Sequence, residues 1–239
     1  MSLADLRERL SAAAILLDFD GTLSPIVDRP QDAAPAPGAA EVLTGLASRA
    51  GSVTIVTGRP SAFVRAALPV PGVDVVGLYG LEGHPPLDDA VRGEVVAAVA
   101  GEAGIHLEDK AASVAVHLRT APDPRAVGER IGPRLVAIAE RHGLELLHGK
   151  LVLELAPAGG GKGGVVRAIL SERDPAAALY AGDDLADLSA FAALEDLARR
   201  GVPAVRVAVL GAETPEDLVA VADAMVEGPV GLLALLAGL

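Results

Sequence analysis

The sequence predicts an α/β protein: a parallel sheet with helices on both faces, interrupted by a smaller α+β unit. Three observations point there. Short, wholly apolar runs of strand length recur along the chain, as strands buried on both faces require. Helical segments stand between most of them, the alternation of a doubly wound sheet. The rhythm then breaks between Leu87 and Leu155, where two helical segments are each followed by a pair of strand-like runs, the pattern of a compact insert.

The opening MSLADLRERL reads as a helical segment of mixed charge. It lacks a long apolar stretch, so a signal peptide is not expected. Ala13–Leu17 is the first strand run, and the Pro/Ala-rich stretch Arg29–Pro37 reads as a loop. A helix over about Gly38–Ala50, a strand at Val53–Val56, a helix at Ser61–Ala67 and a strand at Val73–Leu78 follow. The insert begins with a helical pattern over Leu87–Gly104, then strand runs around His106–Glu108 and Ser113–Arg119. A helix over Pro124–His142 and runs at Leu144–Leu147 and Leu151–Leu155 repeat the pattern. Its expected edges are Gly83–Pro86 and Pro157–Gly161, which assigns 84–158 to the insert and 1–83 with 159–239 to the core. The core resumes with a helix at Gly163–Ser171, a strand at Ala177–Ala181, a helix at Asp187–Arg199 and a strand at Val205–Val209. No internal repeat, coiled-coil heptad or disordered tract is visible.

Composition narrows the function classes. Of 239 residues 51% are hydrophobic but only 2% aromatic, so the core is built from Ala, Val and Leu. Cysteine is absent, which excludes disulfides and thiolate metal sites. A formal charge of −12 argues against nonspecific nucleic-acid binding. The apolar stretch Leu232–Leu239 is too short to span a bilayer. A soluble cytoplasmic protein, monomeric and without nucleic-acid or membrane partners, is the expectation. Only Lys110, Lys150 and Lys162 stand beside 17 arginines. Arginine therefore serves the ordinary surface, and each lysine merits a look.

Four stations carry chemistry. Asp18-Phe19-Asp20-Gly21-Thr22-Leu23 leaves the first strand run. Residues i and i+2 of an extended backbone share a face, so Asp18 and Asp20 converge at a carboxyl edge, where open α/β sheets bind ligands. Neighbouring acids are costly without a cation or a shared proton. The pair suits a divalent metal beside a carboxylate nucleophile: Asp18 to attack phosphorus, Asp20 to move the proton. Thr57-Gly58-Arg59 leaves the second strand run with a hydroxyl, a small backbone donor and a cation, all able to hold phosphate oxygens. Thr57 is also a plausible cap for the next helix. Gly159-Gly160-Gly161-Lys162-Gly163 opens a helix but lacks the spacing and hydroxyl of a nucleotide P-loop. Lys162 fits instead a single ammonium for a transferring phosphoryl group. Gly182-Asp183-Asp184, with Asp187 three residues on, supplies oxygen-only ligands suited to Mg2+. Asp183 is the first choice, and Asp184 and Asp187 are ligands or support. A helix start decorated with acids accounts for one or two of these, less well for three.

Nucleophile, threonine, lysine and acid pair in that order resemble the haloacid dehalogenase superfamily, over nearly the whole chain. The resemblance implies a Rossmann-like core with an inserted α+β cap between Thr57 and Lys162. It also implies an aspartyl-phosphate on Asp18, and Mg2+ held among Asp18, Asp20, Asp183, Asp184 and Asp187. Within the insert, Glu108-Asp109-Lys110 and His117-Leu118-Arg119 are similar to the E-x-K…H-x-R pattern of the trehalose-phosphatase family, with Glu154 standing before the Pro of the second hairpin. Gly77-Leu78-Tyr79-Gly80-Leu81-Glu82 resembles that family's G-x-H-G-x-E turn. The resemblance implies trehalose 6-phosphate as substrate, with Thr57, Gly58, Arg59, Glu82, Glu108, Lys110, His117, Arg119 and Glu154 binding it. The alternatives are another sugar phosphate, of mannosyl or sucrose type, or a catalytically silent regulatory protein of this fold. Tyr79 departs from the family's His, and Ala186 and Leu188 from its Thr and Glu, so contacts there are expected to differ.

Overall fold

The computed structural model describes residues 3–27, 29–149 and 151–239. Lys150, one of the three lysines singled out above, and Met1 and Ser2 of the opening segment lie outside the described residues. Two compact units are present: one runs up to Gly80 and resumes over Lys162–Leu239, the other is Leu81–Gly161.

The first unit holds a six-stranded sheet in the order β10-β9-β8-β1-β2-β3. Its strands are β1 (Ala13–Leu17), β2 (Ser52–Val56), β3 (Val73–Val76), β8 (Ala177–Gly182), β9 (Ala204–Leu210) and β10 (Ala224–Glu227). Every pairing is parallel. The apolar runs have a simple cause. Ala13, Ile15 and Leu17 enter one buried cluster with α2 (Ala39–Ala47) and α9 (Gly228–Ala237), while Ala14 and Leu16 enter a second with α6 (Gly161–Arg173) and α7 (Asp187–Arg199). Alternate residues face opposite sides, and helices cover both sides, so no position of β1 is polar.

The structure differs from the sequence reading at several ends. The run Val73–Leu78 stops as a strand at Val76, and Leu78–Gly80 forms a 3-10 turn. Leu78 and Tyr79 take left-handed φ of 46° and 52° there, which no strand accommodates. The sequence reading stops at Val205–Val209. The structure adds α8 (Glu216–Val221), β10 and α9, making the sheet six strands wide.

The second unit is a four-stranded antiparallel sheet, β4-β5-β7-β6, with two helices. Its strands are β4 (His106–Asp109), β5 (Val114–His117), β6 (Leu144–Gly149) and β7 (Val152–Pro157); its helices are α4 (Asp89–Val99) and α5 (Pro124–His142). Val114, Val116, Leu153 and Leu155 pack with Val91, Val95, Ile131 and Leu135 into one cluster, so the helices cover one sheet face. The opposite face carries Glu108, Ala115 and Glu154, paired directly across three strands. Leu151, read from the sequence as the first residue of the last strand run, stands before β7, 39% exposed at φ 55°. Arg119 lies beyond the end of β5, in an exposed turn.

Candidate active site

The order of the six-stranded sheet fixes where its chemistry collects. β8, β1 and β2 are adjacent, with Leu17 opposite Ala181 on one side and Ile55 on the other. Asp18, Thr57 and Asp183 therefore leave from one carboxyl edge, beside the strand at which the chain order reverses, the place where such sheets bind ligands. Asp18 extends the ladder by one bond, its N–H donating to Ala181 O at 2.9 Å.

Lys162 stands at the first turn of α6 and is 3% exposed. Its Nζ lies 3.0 Å from Asp18 Oδ1, 2.7 Å from Asp187 Oδ1 and 3.5 Å from Asp184 Oδ1. The α6 and α7 starts are stitched together by Ser189, whose Oγ accepts from Gly163 N at 3.0 Å and donates to Ala186 O at 2.7 Å. Any Cβ at Gly163 would sit 2.7 Å from Ser189 O, so the GKGG sequence is what lets the ammonium come so near α7.

Asp187 opens α7 and is fully buried. Its Oδ2 accepts from the N–H groups of Asp183 and Asp184, each at 2.9 Å. Its Oδ1 accepts from Lys162 and, at 2.6 Å, from the Tyr180 hydroxyl. This fold-back passes over Gly182, where an added Cβ would meet Asp187 Cγ at 2.1 Å. Gly21, at φ 81°, likewise leaves room for Asp183, whose Oδ2 would be 2.1 Å from a Cβ there. Thr22 Oγ1 donates to Asp183 Oδ1 at 3.3 Å.

Asp18, Asp183 and Asp187 each offer a carboxylate oxygen, and these atoms lie within 4.8 Å of one another. Burial lifts the Asp18 carboxyl well above its ordinary value; Lys162 opposes this, and the charges of Asp187, Asp183 and Asp184 add to it. Burial, reinforced by Asp187, also raises Asp183 to about 7, and burial raises Asp187 to about 6. Asp184 goes the other way: against the cost of burial, Lys162 and the hydrogen bonds it receives hold it low. Burial by itself would lower Lys162, but Asp18, Asp184 and Asp187 more than offset it and raise it well above normal. One ammonium thus faces an excess of buried carboxylate. That donor set, oxygen only and short of positive charge, fits a hard dication such as Mg2+. Asp187 already accepts four hydrogen bonds, so Asp18 and Asp183 have the freer oxygens.

Asp20, Thr57, Gly58 and Arg59 form a further set of contacts in the same unit. Asp20 is not in the metal-capable group found among the described residues. Both its oxygens lie in the fork of Arg59, at 2.6 Å from Nε and 2.8 Å from Nη2. Arg59, expected on phosphate, is held by that pair and by the Phe63 ring, 4.6 Å from its Cζ. Thr57, 1% exposed, does not cap the next helix. Its Oγ1 accepts from Arg59 N at 3.1 Å and shapes the turn. Leu78 N donates to Arg59 O and Tyr79 N to Thr57 O, so the Leu78–Gly80 turn rests on this one. The Tyr79 ring is the reason Gly58 bears no side chain: a Cβ there would be 2.7 Å from it.

In the second unit, Lys110 Nζ lies 3.1 Å from Glu154 Oε2, and Ser113 Oγ donates to Glu154 Oε1. His117 Nε2 lies 2.8 Å from Glu108 Oε2. Glu108, Lys110, His117 and Glu154 thus form two pairs on the polar sheet face, with Arg119 outside it and Glu82 exposed. Sequence reasoning missed Tyr180, Thr22 and Ser189. Tyr180 had a signal: it is one of two tyrosines in the chain, set in an apolar strand two residues before Gly182. A buried phenol needs an acceptor.

The family model described as trehalose-phosphatase matches residues 16–218. A trehalose-phosphate phosphatase of Mycobacterium avium is 36% identical over 211 residues, 80% of this chain and 53% of that protein. A probable trehalose-phosphate phosphatase of Sinorhizobium fredii is 32% identical over 194 residues, 74% of this chain and 72% of that one. The chain spans about half the length of the mycobacterial relatives it matches. In fold it is similar to the C-terminal domain of the Candida albicans trehalose-6-phosphate phosphatase, at a TM-score of 0.78 and 24% identity over 99% of this chain and 95% of that one.

Proposed function

Because the chain belongs to the trehalose-phosphatase family, we propose that it hydrolyses trehalose 6-phosphate to trehalose and inorganic phosphate through a phosphorylated Asp18. The observation that carries this reading is the meeting of Asp18, Lys162 and Asp183 at one carboxyl edge, with Lys162 Nζ 3.0 Å from Asp18 Oδ1.

An Asp18 oxygen attacks phosphorus, and the bond from phosphorus to the sugar oxygen breaks. Lys162 and the Thr57 turn hold the phosphoryl oxygens. Asp20 gives the departing sugar oxygen its proton. It then takes one from the water that attacks the phosphorus, and Asp18 is released. Arg59 occupies both Asp20 oxygens, so one of them must leave the guanidinium before it serves. Asp18 and Asp183, with Asp184 and Asp187 in support, would hold Mg2+, which when bound would supply positive charge against the phosphoryl group. The segment 84–158 selects the sugar: Glu108 and Glu154 suit hydroxyl groups, and Lys110, His117 and Arg119 suit the anionic end.

Phosphate release measured over a panel of sugar phosphates, with and without Mg2+, tests the reading. Turnover is expected to be greatest with trehalose 6-phosphate, to need Mg2+, and to vanish in Asp18→Asn. A preference for a sucrose or mannosyl phosphate would overturn the substrate. Metal-dependent turnover persisting in Asp18→Asn would overturn the nucleophile.

A further inference from the structure

Three side chains with ligating atoms, His106, Glu108 and His117, share the polar face of the cap sheet, although their donor atoms do not all lie within 4.8 Å of one another as those of the core aspartates do. His106 lies directly opposite His117 in the β4–β5 pairing. Opposed residues of an antiparallel pair share a face with Cβ atoms about 5 Å apart. Glu108, two residues beyond His106 on the same strand, shares that face too. The two imidazole centroids are 5.8 Å apart with ring planes tilted by 37°. His117 Nε2 already meets Glu108 Oε2 at 2.8 Å. His106 is exposed, and the His117 and Glu108 side chains are 34% and 45% accessible. The neighbouring ammonium of Lys110 is paired with Glu154; its charge adds to the His117 hydrogen bond in holding the Glu108 carboxyl low, so a bound ion must outweigh it.

We propose that His106, His117 and Glu108 form a binding site for a borderline-soft divalent ion, Zn2+ or its neighbours Co2+, Ni2+ and Cu2+. Two imidazoles and one carboxylate are a donor set these ions favour and Mg2+ does not. Two rings on one tetrahedral zinc, with Zn–N near 2.0–2.1 Å, hold their centroids roughly 5 Å apart. His117 and Glu108 already meet, so bringing all three donors onto one ion requires rotation of the exposed His106 side chain. Three protein ligands leave a coordination position open to water.

The site is distinct from the carboxylate group of the core unit, which has no nitrogen donor. A consequence follows that rests on the proposed function: an ion here occupies His117 and Glu108, both assigned to the sugar phosphate, so zinc competes with substrate. Binding itself does not depend on that assignment.

The test is a zinc titration of the whole chain in saturating Mg2+, read by competition with a chromophoric zinc indicator. Wild type, His106→Asn and Asp18→Asn are compared. Wild type and Asp18→Asn are expected to bind one zinc alike, and His106→Asn to bind it at least about tenfold more weakly. Zinc binding unchanged in His106→Asn, or lost in Asp18→Asn and kept in His106→Asn, overturns the site. With Cu2+ as the probe, electron paramagnetic resonance is expected to show splitting from two nitrogens in wild type and from one in His106→Asn; identical spectra would also overturn it. Phosphatase turnover without zinc is expected to be the same in His106→Asn as in wild type, with zinc inhibition relieved. Should no sugar phosphate be turned over, the proposed function fails while the titration and the spectra still decide the metal site.

Discussion

Asp187 receives four hydrogen bonds from three parts of the site: the Asp183 and Asp184 backbone, Lys162, and the Tyr180 hydroxyl. Burial, with Asp187 beside it, keeps that hydroxyl protonated well above its usual range, so it is a donor. Tyr180→Phe removes one donor and no volume. It is expected to cost about 2 kcal/mol of stability, as for a bond to a charged acceptor. Turnover is expected to slow roughly tenfold through the loosened Lys162–Asp187 pair, with KM little changed. Denaturant unfolding and steady-state kinetics check both, and a variant with wild-type turnover removes Tyr180 from the positioning set. Lys162→Met takes away the one cation that touches Asp18 among the described residues. Turnover is expected to fall by more than about a hundredfold, which phosphate release would measure directly.

At the scale of elements, the strands that build the site were legible because both their faces are covered. β1, β2 and β8 read as short apolar runs ended by acids, glycine or threonine, and their exits are the stations. β10 was not legible: four residues on the sheet edge, alternating half-buried and exposed, carry no continuous apolar signal. The direction of side chains was legible only in part. Nothing in the spacing of Asp20 and Arg59 says that they pair with each other, since they lie 39 residues apart and meet only through the parallel β1–β2 pairing. One core position breaks the pattern without a visible gain. Thr54 on β2 is 2% exposed, and its hydroxyl has no hydrogen-bond partner among the described residues. Thr54→Val keeps the shape and removes the stranded hydroxyl. Stability is expected to rise by about 1 kcal/mol, seen as a higher denaturation midpoint at unchanged slope; a loss would mean that the hydroxyl is satisfied.

For the molecule as a whole, the excess of buried carboxylate couples stability to pH and to metal. Burial, with like charge nearby, lifts Asp183 to about 7 and Asp187 to about 6 from 3.8. A carboxyl raised in the folded state holds more protons folded than unfolded across the interval between the two values. Its contribution to stability is therefore complete below the unfolded value and is lost as pH rises through 6 to 7. Asp184, held low, has the opposite sign, and its contribution disappears only in acid. The metal-free chain should thus lose stability from this cluster between about pH 4 and pH 7. Mg2+ displaces those protons, so the stabilisation it gives should be larger at about pH 8 than at about pH 5.5. Thermal unfolding with and without Mg2+ at the two pH values measures this. Asp183→Asn should flatten the difference, and an equal Mg2+ shift at both pH values would contradict the account.

The central claim is that Asp18 becomes phosphorylated. Its most direct test is borohydride trapping of the enzyme during turnover of trehalose 6-phosphate, followed by peptide mass spectrometry, because reduction of an aspartyl-phosphate leaves homoserine in place of the aspartate. The account predicts homoserine at position 18, dependent on both substrate and Mg2+. Trapping at another residue, or none while phosphate is being released, would contradict it.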